Sequence, residues 1–441
     1  MASSPRRSVF PPSRREFGAM LIGAGAAAAL GSRAQAEAMC RDAAPAPAYQ
    51  RREPTSLGEI GPNIAWGTHL EGAGVYDEAL IAAIAGEKPK VLVVGSALKF
   101  GNLHPLSLAF ERQAGEKRVS TWAELDDLAR LAQRLGAKTR GDAMIWNDWL
   151  PKWVSDLAQK RPEGWRQKLV DSFERNFAAV FAHLDELDAR SGAPVMPWRG
   201  LVNEPFAYWS ESGGRPAWRH GAWLDAFDVM SDGVPGYIHK AFEYGEKYSG
   251  ASKPALYLNE ANCENDKYGA PLRAAMLSLL DSLQSAGRKV DAIGLEAHLQ
   301  PEWMDDPLRP SWRPFVDFLK ELQQRGVKIY ITELDVNDCL ASDDLEQRDR
   351  LVADYTYSFT AAALEVPAVT MVTNWDFADS ASWYRGEETY RALVRWPRCR
   401  TRPACPRPTI YDQDLAPKPA RDALARAFAG RGTPVRPATS D

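Results

Sequence analysis

The chain has 441 residues, 45% of them hydrophobic and 25% charged, with a formal net charge of -4. That is a globular composition with ample length for a large core, and it gives no electrostatic case for nucleic acid or an anionic membrane as partner. The cysteines Cys40, Cys263, Cys339, Cys399 and Cys405 form no Cys-x-x-Cys pair and no Cys/His cluster at metal spacing, so neither a structural metal nor a cofactor is expected.

In chain order, Ser13-Arg14-Arg15-Glu16-Phe17 precedes an Ala- and Gly-rich apolar stretch and then Ala34-Gln35-Ala36. A charged region, a short apolar region and a small-residue cleavage site make an export signal over 1–36, and the paired arginines resemble the twin-arginine type. The apolar stretch is shorter than the roughly 20 residues a spanning helix needs, so a periplasmic or secreted chain without stable membrane insertion is expected. Residues 37–56, with Ala-Pro repeats and Arg51-Arg52-Glu53-Pro54, read as a linker, 57–429 as one catalytic unit and 430–441 as a loose tail.

Within the unit, apolar runs at 64–68, 91–94, 138–146, 200–203, 256–259, 292–297, 329–332 and 369–375 read as strands. Amphipathic helical stretches lie between them, for example at 122–135, 165–187, 237–248, 272–286, 312–324 and 345–364. Strands alternating with helices in this number predict an α/β fold, a single (β/α)8 TIM barrel. No Gly-x-Gly-x-x-Gly follows the first strand, which removes the usual dinucleotide reading. Cys399 and Cys405 bracket a Pro- and Arg-rich loop that a disulfide would close in an oxidising compartment; free thiols are the alternative.

Working residues of such a barrel sit at the carboxyl ends of its strands. The run Lys328 to Thr332 reads as a buried strand closed by Glu333, a carboxylate with no inexpensive structural task at that place. Glu333 and Asp335, two apart, share a face. The fourth strand ends in Asn203-Glu204, three strands away and across the barrel mouth. Two carboxylates converging at roughly 5–5.5 Å are the equipment of a retaining glycosidase, one as nucleophile and one as acid then base. The plainer alternative pairs each Glu with a rim arginine.

Several segments carry a family resemblance. They are Trp-Arg-Gly-Leu-Val-Asn-Glu at 198–204, Leu-Tyr-Leu-Asn-Glu-Ala-Asn at 256–262, Ile-Gly-Leu-Glu-Ala-His-Leu at 293–299, Ile-Thr-Glu-Leu-Asp-Val at 331–336, Thr-Asn-Trp at 373–375, and Ser382-Trp383. In this order, over about 57–428, the chain resembles glycoside hydrolase family 10, the endo-1,4-β-xylanases. The resemblance implies a retaining double displacement on β-1,4-xylosidic bonds, with Glu333 as nucleophile and Glu204 as acid/base. It further implies Asn203 on the 2-hydroxyl at the cleavage site, Trp375 and Trp383 in the aromatic wall, Lys99 on hydroxyls one subsite away, and His298 beside the nucleophile. With Asp335 on the face of Glu333, an Asp335–His298–Glu333 set is expected.

Departures from the family pattern fall on one side of the cleft. Gly95 and Ser96 stand where a Glu-Asn pair is usual, Asp142 and Asn147 replace histidines around Trp146, and Glu296 replaces a Gln. The added carboxylates Asp142 and Glu296 should raise the pKa of the nucleophile or recruit a compensating cation. An aspartate at 142 accepts where histidine donates, which predicts weak activity on plain xylan and a preference for a sugar offering a donor or cation there, unless a neighbouring arginine turns Asp142 away; the plainer alternative is that a nearby side chain replaces the histidine and nothing changes. The expected partner is a polysaccharide or oligosaccharide, acted on by a monomer. The rival readings are another β-glycan hydrolase or transglycosylase on the same barrel, or a weakly active carbohydrate-binding protein.

Overall fold

The computed structural model describes residues 47–61, 63–104, 122–386, 389 and 405–431; the export signal, Cys40, Cys399 and the tail after 431 lie outside them. The strands begin from runs such as Val-Leu-Val-Val at Val91–Val94, whose residues are all buried because both faces of a barrel strand are covered. The barrel strands are Ala65–His69 (β1), Val91–Val94 (β2), Lys138–Gly141 (β3), Trp198–Asn203 (β4), Ala255–Glu260 (β7), Ala292–Leu295 (β8), Lys328–Val336 (β10) and Val369–Asn374 (β11). They pair in parallel in that order, and β11 closes onto both β1 and β10, so eight parallel strands make a closed (β/α)8 barrel.

Val91, Val93, Tyr257, Ala292, Tyr330 and Met371 fill the interior. Arg140, on β3, is buried among them and donates to the Tyr257 hydroxyl at 2.5 Å and the Thr332 carbonyl at 2.7 Å, which settles its charge inside the barrel. The outer layer follows helical spacing. Helix Trp165–Ser191 buries Leu169, Phe173, Phe177, Val180, Phe181 and Leu184 and stops at Gly192 in a left-handed conformation.

Several elements differ from the reading of the sequence. The strand expected over 138–146 ends at Gly141, with Ile145 meeting Val202 only in an isolated bridge, and the one expected over 292–297 stops at Leu295. Directly after Glu204-Pro205, Phe206–Ser212 (β5) and Arg215–Trp218 (β6) form an antiparallel hairpin. The strand expected to end at Thr332 runs on to Val336, because His298–Leu299 (β9) pairs with Asp335 and Val336 and so extends its ladder.

The barrel floor is tied across the chain ends. Glu87 accepts from Arg421 at 2.9 and 2.8 Å and from the Leu57 amide at 2.8 Å, and Arg421 also reaches the carbonyls of Glu53 and Thr55. Cys339 and Cys405 are both disulfide-bonded, and Cys263 is a buried free thiol.

Candidate active site

The barrel mouth holds one cleft lined by carboxylates, aromatic rings and a few cations, among them Glu204, Glu333, Lys99, Asn203, Trp375 and Trp383. Three of its polar residues are tied together by Asn259, the fully buried penultimate residue of β7. Its amide nitrogen faces Glu333 Oε1 at 2.9 Å, Asn203 Oδ1 at 2.9 Å and Glu296 Oε1 at 3.1 Å, and its carbonyl oxygen accepts from the Thr332 hydroxyl at 2.7 Å. Gly294 makes room for this amide, since a β-carbon there would lie 2.4 Å from Asn259 Oδ1. With the oxygen of Asn203 engaged, its own amide nitrogen is left to donate into the cleft.

Burial, then Glu204 and Glu333, drive the Glu296 carboxyl well above its ordinary range. The added carboxylate beside Glu333 is thereby pushed toward its neutral form, the direction in which a crowded cluster sheds charge. The other, Asp142, meets a cation. Lys99 Nζ lies 3.5 Å from Asp142 Oδ2 and sits against the rings of Trp146 at 4.7 Å, Trp149 at 4.9 Å and Trp375 at 6.0 Å. Asp142 Oδ1 is buried without a hydrogen bond, and Arg140 turns instead to Tyr257 and Thr332.

His298 is placed by a break in its own strand. Ala297 adopts φ +61° between β8 and β9, and the new register sets His298 opposite Asp335. Nε2 lies 3.2 Å from Glu333 Oε2 and Nδ1 lies 2.9 Å from Asp335 Oδ1, while Asp335 Oδ2 accepts from the Trp383 indole at 2.7 Å. Burial would lower the imidazole, but Asp335 and Glu333 outweigh it and hold His298 well above its usual pKa. The ligand atoms of Glu296, His298 and Glu333 fall within 4.8 Å of one another, while the two ring nitrogens of His298 already face the carboxylates of Glu333 and Asp335. The aromatic wall closes around this set, with Trp383 at 5.0 Å and Trp375 at 6.2 Å from the His298 ring.

Glu204 is held differently. It leaves β4 at φ +40°, and its amide donates to the Asn259 carbonyl at 2.9 Å. The hairpin then returns Arg219, whose Nε donates to the Glu204 carbonyl at 2.7 Å and whose two terminal nitrogens pair with the carboxylates of Glu204 and Asp148. Burial pushes the Asp148 carboxyl up against the pull of Arg219, to about 6. Trp209 lies over the guanidinium at 4.8 Å. Asn147 takes no part in lining the cleft; its side chain bonds the Arg219 carbonyl at 3.2 Å and the Trp223 amide at 3.1 Å. Glu204, Ala297 and Asp376 all have positive φ just past barrel strands, a strain of about 1–3 kcal/mol each that concentrates at this mouth.

The residues named from the sequence thus converge, apart from Asn147. Arg219, Asp148, Trp149, His69 and Glu71 were not named, and Asn259 entered only as part of the motif at 256–262. The hairpin that delivers Arg219 had a signal in Gly213-Gly214 flanked by aromatic runs.

The family model for glycosyl hydrolase family 10 matches residues 62–427. The chain is 26% identical over 322 residues to an endo-1,4-β-xylanase A of Thermoanaerobacterium saccharolyticum, covering 72% of this chain and 24% of that protein. It is 26% identical over 309 residues to an endo-1,4-β-xylanase 2 of Aureobasidium pullulans, covering 69% and 77%. An exoglucanase XynX of Acetivibrio thermocellus is 26% identical, with 81% of this chain and 28% of that protein covered. The chain thus spans about a quarter of the length of the first and last of these relatives. Among solved structures, xylanase 10B of Thermotoga maritima superposes with a TM-score of 0.65 at 20% identity, over 85% of this chain and 98% of that one. The xylanase 10B of Thermotoga petrophila, solved with xylobiose, gives 0.65 at 19%, over 86% and 98%. The match over most of the chain and the shared barrel lead to one conclusion: the chain belongs to glycosyl hydrolase family 10.

Proposed function

We propose that the chain is an exported retaining endo-1,4-β-xylanase. Glu333 attacks the anomeric carbon while Glu204 protonates the leaving oxygen; in the second step Glu204 takes a proton from water, which displaces Glu333 from the glycosyl-enzyme. The observation that carries this reading is the unlike support of two carboxylates in one aromatic-walled cleft. Glu333 is oriented by Asn259 and a charged His298, while Glu204 stands across the mouth against Arg219. Asn203, with its amide nitrogen free, is suited to a sugar hydroxyl. The relatives named endo-1,4-β-xylanase and the neighbour solved with xylobiose support the substrate class.

Incubating the mature protein with xylan and with aryl β-xylosides tests the reading. Release of reducing ends from xylan together with a product of retained configuration is expected. Binding without turnover would leave a carbohydrate-binding protein, and activity confined to another β-glycan or to glycosyl transfer would replace the xylanase reading. Asp142 should keep wild-type rates on unsubstituted xylo-oligosaccharides low, so Asp142→His should raise kcat/KM there; ordinary wild-type rates with no gain in the variant would remove that refinement. Among the described residues no helix is long and apolar enough to cross a membrane. Exported material should begin near Glu37, and N-terminal sequencing that finds Met1 would end the export proposal.

A further inference from the structure

The cleft is also lined by Glu71, which follows β1 and is half-buried, together with Ser96 and Lys99. Gly95 leaves room for the histidine that holds this carboxylate. A β-carbon at Gly95 would lie 2.5 Å from His69 Nε2 and 3.4 Å from Glu71 Oε2. Glu71 Oε2 accepts from the Ser96 amide at 3.2 Å and lies 3.4 Å from His69 Nε2. His69 is fixed in turn, with Nδ1 2.9 Å from Asp376 Oδ1 and its ring stacked on Trp375 at 4.0 Å and 9°. Asp376 also accepts from the Trp383 amide at 3.1 Å.

This is a built acceptor. Burial opposes charge on His69, but Glu71 and Asp376 outweigh it and raise its pKa to about 10. Burial likewise opposes charge on Glu71, and His69, Ser96 and Lys99 outweigh it and hold the carboxyl below its usual range. Glu71 is therefore an anion at any ordinary pH. Oε2 is occupied, and among the described residues no hydrogen bond engages Oε1. Trp375 gives the scale: His69 covers its face, and His298, which orients Glu333, meets its edge. Against its burial, Lys99 is held charged by Asp142, then Glu333 and Glu71, so it lies within reach of both the reacting carboxylate and Glu71.

Resting on the glycosidase reading above, we infer that Glu71 is a specificity-determining residue at the sugar next beyond the one that is attacked, on the side away from the leaving group. It accepts a hydrogen bond from a hydroxyl of that sugar, beside the donor Lys99, and it turns away a sugar carrying a carboxylate there. A fixed anion facing a ligand that brings a second anion finds repulsion, whereas a hydroxyl gains a charge-assisted bond.

The test compares 4-nitrophenyl β-xyloside, which leaves this position empty, with 4-nitrophenyl β-xylobioside, which fills it. In Glu71→Gln the ratio of kcat/KM for the bioside to that for the monoside should fall on the order of ten-fold, the worth of one charge-assisted hydrogen bond. Gly95→Ala, whose β-carbon would lie 2.5 Å from His69 Nε2, displaces the histidine that holds Glu71 and should move the ratio the same way. A xylobioside bearing a uronic acid on its distal sugar should be a poorer substrate than the plain one for the wild type, and Glu71→Gln should narrow that gap. An unchanged ratio in both variants would overturn the inference. A wild type inactive on both xylosides would instead fail the glycosidase reading, and xylotriose titrated into Glu333→Gln with and without Glu71→Gln would then decide. Affinity weakened about ten-fold by the second change supports the role of Glu71, and equal affinity refutes it.

Discussion

Glu333 and Glu204 face the same cleft from opposite supports. Glu333 lies within a continuing strand and receives neutral and cationic donors, Asn259 and His298, each anchored by a further hydrogen bond or ion pair. Glu204 lies just past a strand end in a strained backbone and is gripped by one arginine that it shares with Asp148. The first arrangement fixes direction, as a nucleophile that must meet one carbon requires. The second offers a carboxylate whose partner has an alternative anion to hold, which suits a group that gives up and regains a proton in each cycle.

The contrast can be broken most decisively at Glu333. Glu333→Gln should lower turnover by roughly a thousand-fold or more on polysaccharide and activated aryl glycoside alike, because no leaving group replaces a missing nucleophile. Equal loss on both substrates is the check. Glu204→Ala should cost about 10²–10⁴-fold on xylan and much less on an aryl glycoside whose leaving group needs no proton. Azide should restore that variant and yield a glycosyl azide of retained configuration; an inverted product would exchange the roles of the two residues.

Smaller effects sharpen the two supports. Arg219→Met leaves Glu204 and Asp148 without their cation and should cost about 3–5 kcal/mol of stability by denaturant unfolding. Asp148→Asn added to it should return part of that loss, and a variant as stable as wild type would show the ion pair to be dispensable. On the Glu333 side, Glu264 is buried with neither carboxylate oxygen hydrogen-bonded, and burial raises its pKa to about 7. The folded state then holds a proton that the unfolded chain, with the ordinary value of 4.5, has lost. Stability conferred by this group is present below that ordinary value and drains away as pH rises to about 7. Glu264→Gln should flatten the pH dependence across that window by on the order of 3 kcal/mol, read from unfolding midpoints at pH 5 and pH 8.

Runs such as Val91–Val94 and Lys328–Thr332 announce buried parallel strands through residue type alone, and the helices between them through apolar spacing. Strand ends were less legible. Glu333 reads as a terminus because the apolar run stops there, yet the ladder continues through Asp335 once β9 offers a partner. Asn147 looks like a cleft residue beside Trp146 and turns out to bond the backbone of Arg219 and Trp223.

The sequence by itself determined the barrel, the family and the pair of carboxylates, because alternation of strand and helix and the polar residues closing each strand are local patterns. Only the tertiary structure decided who holds what. Lys99 pairs with Asp142, Glu296 is pushed toward its neutral form, Arg219 returns to Glu204, and His69 takes the space left by Gly95 and holds Glu71. Each of these depends on the protonation and reach of side chains brought together from different strands. Burial and Coulomb interaction are set by distance in space, and spacing along the chain does not encode them.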